Sequence, residues 1–127
     1  MQIQNGNKII LQSITEKDTE LIVRWRNNPR VRNNFVFQEE FTNEMHMKWL
    51  NTKVALGKVV QFIIFTKKEK KPIGSVYLRD IDYANGKAEY GIFIGEDIAI
   101  GKGYGTEAAE LILDYAFEVL QLSNIFL

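Results

Sequence analysis

Glycines at alternate positions in Gly101-Lys102-Gly103-Tyr104-Gly105-Thr106 separate two stretches of different periodicity, and this segment constrains the fold more than any other. Upstream, Ala88-Glu89-Tyr90-Gly91-Ile92-Phe93-Ile94 reads as a strand. Downstream, Ala108, Leu111, Ile112, Tyr115, Ala116 and Val119 recur at three- and four-residue steps, one apolar stripe along a helix of about four to five turns. The first N–H groups of such a helix have no intrahelical partner. Gly103 and Gly105 carry no Cβ and accept positive φ, so the backbone there can approach a bulky anion closely. Unpaired donors and the helix macrodipole together suit phosphate, and a pyrophosphate fits over Gly101 to Thr106 with Lys102 adding charge. The same glycines also suit a plain strand-to-helix turn, and that reading stays open.

The elements before the loop decide which phosphate fold this is. Lys8 to Leu11 reads as a first strand. Thr15 followed by Asp18 resembles a capping box and opens a helix carrying Leu21, Ile22 and Trp25, which Asn28-Pro29 stops. Thr42 caps a second helix, with Glu44 in its first turn, that carries Met45, Trp49 and Leu50 toward the core until Gly57. Val59 to Phe65 is β-branched and aromatic and reads as a buried strand. Ile73 to Ile81 and Lys87 to Ile94 follow as strands across the Lys67 to Pro72 turn and the Asn85-Gly86 turn, forming an antiparallel meander. Asn124-Ile125-Phe126-Leu127 begins a last strand. A Walker A loop needs Ser or Thr directly after its Gly-Lys, whereas Gly103 follows Lys102. A dinucleotide fingerprint opens a parallel βαβ unit, whereas this loop follows an antiparallel meander.

At 127 residues the chain has one domain's worth of length. Sixteen basic against sixteen acidic residues give zero net charge, which removes the broad positive field of a nucleic-acid binder. With no cysteine, a thiolate nucleophile and a Cys-type zinc site are excluded, and the single histidine, His46, cannot build a metal centre alone. No apolar run approaches the roughly 18 residues of a membrane span, and the first residues lack an apolar signal region, so a cytoplasmic location is expected.

The element order, with the glycine loop and long helix after the meander, resembles the GNAT superfamily of acetyl-CoA-dependent N-acetyltransferases over nearly the whole chain. The family's pyrophosphate loop reads Arg or Gln, two residues, Gly, any residue, then Gly or Ala. Gly103 and Gly105 take its glycine positions, and Ile100 departs from it at the Arg/Gln position. Trp25-Arg26-Asn27-Asn28-Pro29, the Thr42 to Trp49 helix and Ala88 to Ile94 resemble the branch of ribosomal-protein N-terminal, spermidine and nucleotide-linked amino-sugar acetyltransferases. The first of these segments is most similar to the amino-sugar enzymes.

The resemblance implies an α+β, three-layer fold with a mixed, mostly antiparallel sheet flanked by helices, in one domain over residues 1–127. It also implies truncation after a fifth strand, with the C-terminal strands missing. Acetyl-CoA would be the cosubstrate, with no metal, and Ile92, Phe93 or Ile94 would supply backbone donors to the thioester oxygen. The acceptor would be a primary amine, of a nucleotide-linked amino sugar first, and of a ribosomal-protein N-terminus or a polyamine next. The family's proton-donating Tyr falls beyond the last residue.

An amine with a pKa near 10.4 must lose a proton before it attacks. Glu89 is the candidate base, since alternation puts it on one face with Gly91 and Phe93; a cross-strand pairing role is the alternative. Arg24, Arg26, Arg30 and Arg32, among Asn27, Asn28, Asn33 and Asn34, form either a dock for an acidic acceptor or a solvated helix end. Trp25, Arg26 and Asn27 are the candidate substrate residues, with core packing as the other reading of Trp25 and Trp49. His46 reads as a helix-surface residue, with assistance to proton transfer as the alternative, and Lys67 to Lys71 as a charged turn. Phe126 and Leu127 would leave an unpaired apolar edge, favouring a dimer. A non-catalytic acyl-CoA-binding or sensor module is the rival reading, and a ligand-free structural domain a third.

Overall fold

Capping chemistry sets the helices. The Thr15 hydroxyl accepts from the Lys17 N–H at 3.3 Å while the Asp18 carboxylate accepts from the Thr15 N–H at 2.9 Å, closing the expected capping box on a 3-10 turn, Glu16–Asp18. Helix α1, Thr19–Asn27, continues from it. Pro29 does not simply stop the chain. Asn28 is extended, its side chain accepts from the Arg30 N–H, and Pro29 starts a four-residue helix, α2, Pro29–Arg32. Proline suits that first helical position because its missing N–H would have no partner there. Thr42 caps α3, Asn43–Trp49, by accepting from the Met45 N–H at 3.2 Å.

The computed structural model describes residues 3–126. Six strands form one sheet in sequence order: β1, Ile3–Asn5; β2, Ile9–Ser13; β3, Val60–Thr66; β4, Pro72–Asp82; β5, Lys87–Ile94; and β6, Asn124–Phe126. All neighbours are antiparallel except β5 and β6, which pair in parallel from Lys87↔Asn124 to Glu89↔Phe126. The expectation of a sheet lacking its C-terminal strands is not borne out. Ile3–Asn5 adds an edge strand that its short, polar sequence did not reveal, and Asn124–Phe126 is the sixth strand, not the fifth. Leu127, expected at an apolar edge, lies outside the described residues.

Each sheet face buries one core. Helix α4, Tyr104–Asp114, packs Ala108 and Ile112 against Ile9, Leu11, Phe62, Ile64, Val76 and Leu78. Full burial of a side chain such as Ile112 contributes about 1.5–3 kcal/mol. On the other face, Ile22 and Trp25 of α1, Val31 of α2 and Leu50 after α3 close over Ile63 and Phe93.

Of the residues expected on the inward face of α3, Leu50 is buried and Trp49 half-buried, but Met45 is not. Met45 is 41% exposed, whereas His46, expected at the surface, is 1% exposed. The helix is short, so its orientation follows its contacts with α1 rather than its own sparse apolar pattern.

Candidate active site

Strand β5 offers half of its backbone to a ligand. Gly95 donates to the Ile73 carbonyl of the β4 side at 2.7 Å, and Asn124 donates to the Gly86 carbonyl at 3.0 Å. By the alternation of the ladder, both bonds set the same parity: even-numbered residues of β5 direct N–H and C=O away from β4. Beyond Phe126 no described strand covers that edge, so the N–H groups of Ile92 and Ile94 face an open slit. Phe93, expected among the donors, turns its N–H toward Ser75 of β4. The Ile94 carbonyl is taken by Arg30 Nη2 at 2.6 Å.

The glycine loop stands at the end of this edge. Gly101 and Gly103 have φ of 77° and 81°, in the left-handed region that disfavours other residues. Helix α4 begins at Tyr104, inside the glycine segment rather than after it, with Gly103 as its N-cap. Ile100 and Gly101 form a tight turn that engages the Lys102 N–H, whereas among the described residues no backbone oxygen is bonded by the amides of Gly101, Gly103, Tyr104, Gly105 or Thr106. A Cβ on Gly105 would meet only Ile92 Cδ1, at an ordinary 3.9 Å, so internal packing does not explain that glycine.

The loop is tied down from outside. Glu107 accepts from the Lys8 N–H at 2.9 Å and from the Asn7 N–H, and Lys8 Nζ donates to the Lys102 carbonyl at 3.4 Å. Lys8, Lys67, Lys68 and Lys102 line a recess of about 480 Å³ beside it, which gives part of the expected charged turn a place next to the loop.

A cavity of about 950 Å³ opens on the α1–α3 face and runs past the β5 edge to Ile100 and Gly105. Trp49 and Gln61 of its lining are tied into the sheet by a polar chain that continues beneath it. Trp49 Nε1 donates to Gln61 at 2.8 Å, Gln61 donates to Ser75 at 2.9 Å, and Ser75 donates to the Phe62 carbonyl at 2.8 Å. Tyr77 crosses over Gly91, where an added Cβ would lie 2.4 Å from its ring. Burial raises the Tyr77 phenol above its ordinary value, so the hydroxyl keeps its proton. His46 also lines the cavity; burial first, and the nearby Arg26 charge second, lower it to about 4, so its ring is neutral at pH near 7.

The predicted residues separate into those the cavity contains and those it does not. Glu89 lines it and is held by Arg79 through Nε and Nη2 at 3.1 and 3.2 Å. Two bonds leave about half of the carboxylate's lone-pair sites available. Arg26 lines it too. Trp25 does not: it is 1% exposed, lies against Gly95, and donates through Nε1 to Glu96 at 2.7 Å, so stacking on a substrate is excluded. Asn27 is likewise internal, joining α1 to the Phe41 backbone by two bonds of 2.7 and 2.8 Å. Of the other arginines, Arg24 pairs with Glu96 and Arg30 with Asp97, each at 2.7 Å. Trp25 first, then Arg24, holds the Glu96 carboxyl below its usual range. Tyr77 and Arg79 escaped the sequence reading, and His46, read there as a helix-surface residue, lines the cavity instead. The one signal available for Tyr77 was Gly91 at an unexplained mid-strand position.

Among the described residues there is no group of three His, Cys, Asp or Glu placed to hold a metal ion, and no helix is long and apolar enough to cross a membrane.

Residues 8–127 match the acetyltransferase (GNAT) domain family. An uncharacterized protein of Methanocaldococcus jannaschii is 32% identical over 117 residues, covering 90% of this chain but only 23% of that protein. The spermidine N(1)-acetyltransferase of Vibrio cholerae is 26% identical over 122 residues, covering 96% of this chain and 69% of the relative. The crystal structure of the Vibrio cholerae spermidine N-acetyltransferase in complex with CoA and spermine superposes with a TM-score of 0.83 at 25% identity, over 94% of this chain and 70% of that one. The amino-sugar similarity expected from Trp25 to Pro29 finds no counterpart among these relatives.

Proposed function

Because the chain belongs to the acetyltransferase (GNAT) domain family, and so to the acetyl-CoA-dependent N-acetyltransferases, we propose that it moves acetyl from acetyl-CoA to the primary amine of a small acceptor. The observation that carries this reading is the run of uncommitted amides from Gly103 to Thr106 at the end of an open strand edge that leads into the cavity. Diphosphate binds at the loop, with Lys8 and Lys102 nearby as countercharge. The pantetheine arm runs along the β5 edge, pairing with Ile92 and Ile94 as a further strand would.

The acceptor enters from the α1–α3 face. Glu89 takes a proton from its ammonium group, directly or through one water. The free nitrogen then attacks the thioester carbon, forming the C–N bond, while the Ile92 N–H stabilises the developing oxyanion. The tetrahedral intermediate collapses with cleavage of the C–S bond while its nitrogen gives up a second proton to water, and the leaving thiolate takes a proton from the Tyr77 hydroxyl, which that water restores, or from the water directly. The Vibrio cholerae relative is a spermidine N(1)-acetyltransferase, which supports the polyamine option among the acceptors. The amino-sugar option is weaker, because the fold uses Trp25 and Asn27 of the similar segment internally. Self-association through the β6 edge, where Phe126 is 55% exposed, is a companion expectation that light scattering tests.

Thiol release from acetyl-CoA in the presence of a panel of primary amines, with mass analysis of the acetylated product, tests the reading. Release that depends on both protein and amine supports transfer. Acetyl-CoA binding without release for any amine leaves the CoA-binding sensor as the better reading, and absence of binding removes both.

A further inference from the structure

Resting on the acetyl-transfer reading, we infer that the acceptor carries an anionic group, phosphate or carboxylate, besides its amine, and that Arg26 receives it. The cavity is lined by three guanidinium groups, Arg26, Arg30 and Arg79, against a single carboxylate, Glu89. Arg79 and Glu89 neutralise one another across the β4–β5 ladder, and Arg30 is answered by Asp97. Arg26 has no such partner. Among the described residues it makes no ion pair. Its Cζ lies 3.7 Å from the centre of the Phe35 ring and 4.2 Å from that of Phe41.

Both rings lie within cation–π distance of the guanidinium and restrain it. The guanidinium's N–H donors share one plane, a fork suited to bidentate bonding of a carboxylate or phosphate. The groups that influence Arg26 from the packed elements are neutral near pH 7: Tyr77 of β4 keeps its proton and His46 of α3 has lost one. A half-buried cation facing only neutral neighbours and two rings is costly unless a ligand supplies the opposite charge. The diphosphate of CoA is assigned to the glycine loop with Lys8 and Lys102, which leaves Arg26 for the acceptor.

Glu89 and Arg26 therefore divide one cavity into an end for a cationic amine and an end for an acid. A polyamine would place additional positive charge against Arg26, where this acceptor places negative charge.

The test uses the full chain with saturating acetyl-CoA and matched amines: glucosamine 1-phosphate against glucosamine, glycylglycine against glycylglycinamide, and spermidine. The anionic member of at least one pair should exceed its neutral partner in kcat/KM by about ten- to hundredfold, the scale of a charge-assisted bond. Arg26→Met should abolish that ratio and Arg26→Lys should restore part of it; the pair that shows the ratio identifies phosphate or carboxylate. Equal rates within both pairs, spermidine as the fastest amine, or a ratio that survives Arg26→Met would overturn the inference. Calorimetric binding of the same pairs to the CoA complex separates this inference from the reaction itself. Anion-selective binding lost in Arg26→Met without acetyl transfer upholds the acid end and rejects the transferase reading, whereas transfer without anion selectivity does the reverse.

Discussion

Lowering the pH from about 7.5 to about 4.5 should weaken the fold through His46, and its surroundings set the size of the loss. The residue is 1% exposed, its Nε2 is buried without a hydrogen-bond partner, and Arg26 repels a second positive charge. Burial first and Arg26 second bring the imidazole from 6.5 to about 4. The unfolded chain thus takes up a proton that the native state refuses. Between those two values the unfolded state binds more protons, so stability falls as pH falls, and below about 4 the contribution levels off. A gap of about two and a half pH units, at about 1.4 kcal/mol each, caps the loss near ~3 kcal/mol, most of it incurred by about pH 4.5.

Urea denaturation across this range would measure it in the parent and in His46→Leu. The variant should lose most of the pH dependence above about pH 4.5. Glu96 and Asp97 contribute separately and later: both carboxyls are held low in the native state, so their stabilisation disappears only as pH falls through those lowered values. His46 is the one histidine, so its ring resonances also report the titration directly by NMR. A midpoint near 6.5, or an unchanged pH dependence in His46→Leu, would refute the reasoning.

Two further outcomes concern the cavity. Glu89→Gln should lower kcat by about a hundredfold or more if Glu89 takes the proton, with loss of the acidic limb of the pH profile; a change within about twofold would reduce Glu89 to the cross-strand partner of Arg79. Gly91→Ala should drive Tyr77 into the cavity, since the added Cβ would lie 2.4 Å from the ring. A stability cost of about 1–3 kcal/mol and a raised KM for the acceptor are expected. An unchanged melting temperature and KM would show that the ring has room to move.

Local chemistry was legible in the sequence wherever its partners lie a few residues apart. The Thr15–Asp18 box, the Thr42 cap, the Asn85-Gly86 turn and the meander all follow from neighbours on the chain. Of Gly103 and Gly105, expected to use positive φ, only Gly103 does; Gly101 also adopts it, and Gly105 lies within α4, which starts earlier than its apolar stripe implied. What escaped depends on distant contacts. Trp25 belongs to the core because Gly95 leaves room for its ring and Glu96 accepts its N–H, some seventy positions along the chain. His46 is buried because α3 is too short for its own periodicity to fix its orientation against α1. Tyr77 enters the cavity because its cross-strand partner is glycine, a pairing that requires the β4–β5 register to be known.

The most direct test of the account is an amide NMR titration of the protein with CoA and, separately, with pantetheine. CoA should shift the amides of Gly101 to Thr106 together with those of Ile92 and Ile94, more than that of Phe93, whose N–H belongs to the sheet. Pantetheine, lacking the diphosphate, should affect the β5 edge and spare the loop. CoA shifts confined to other surfaces, or a loop that responds equally to both compounds, would contradict the claim that this turn binds diphosphate.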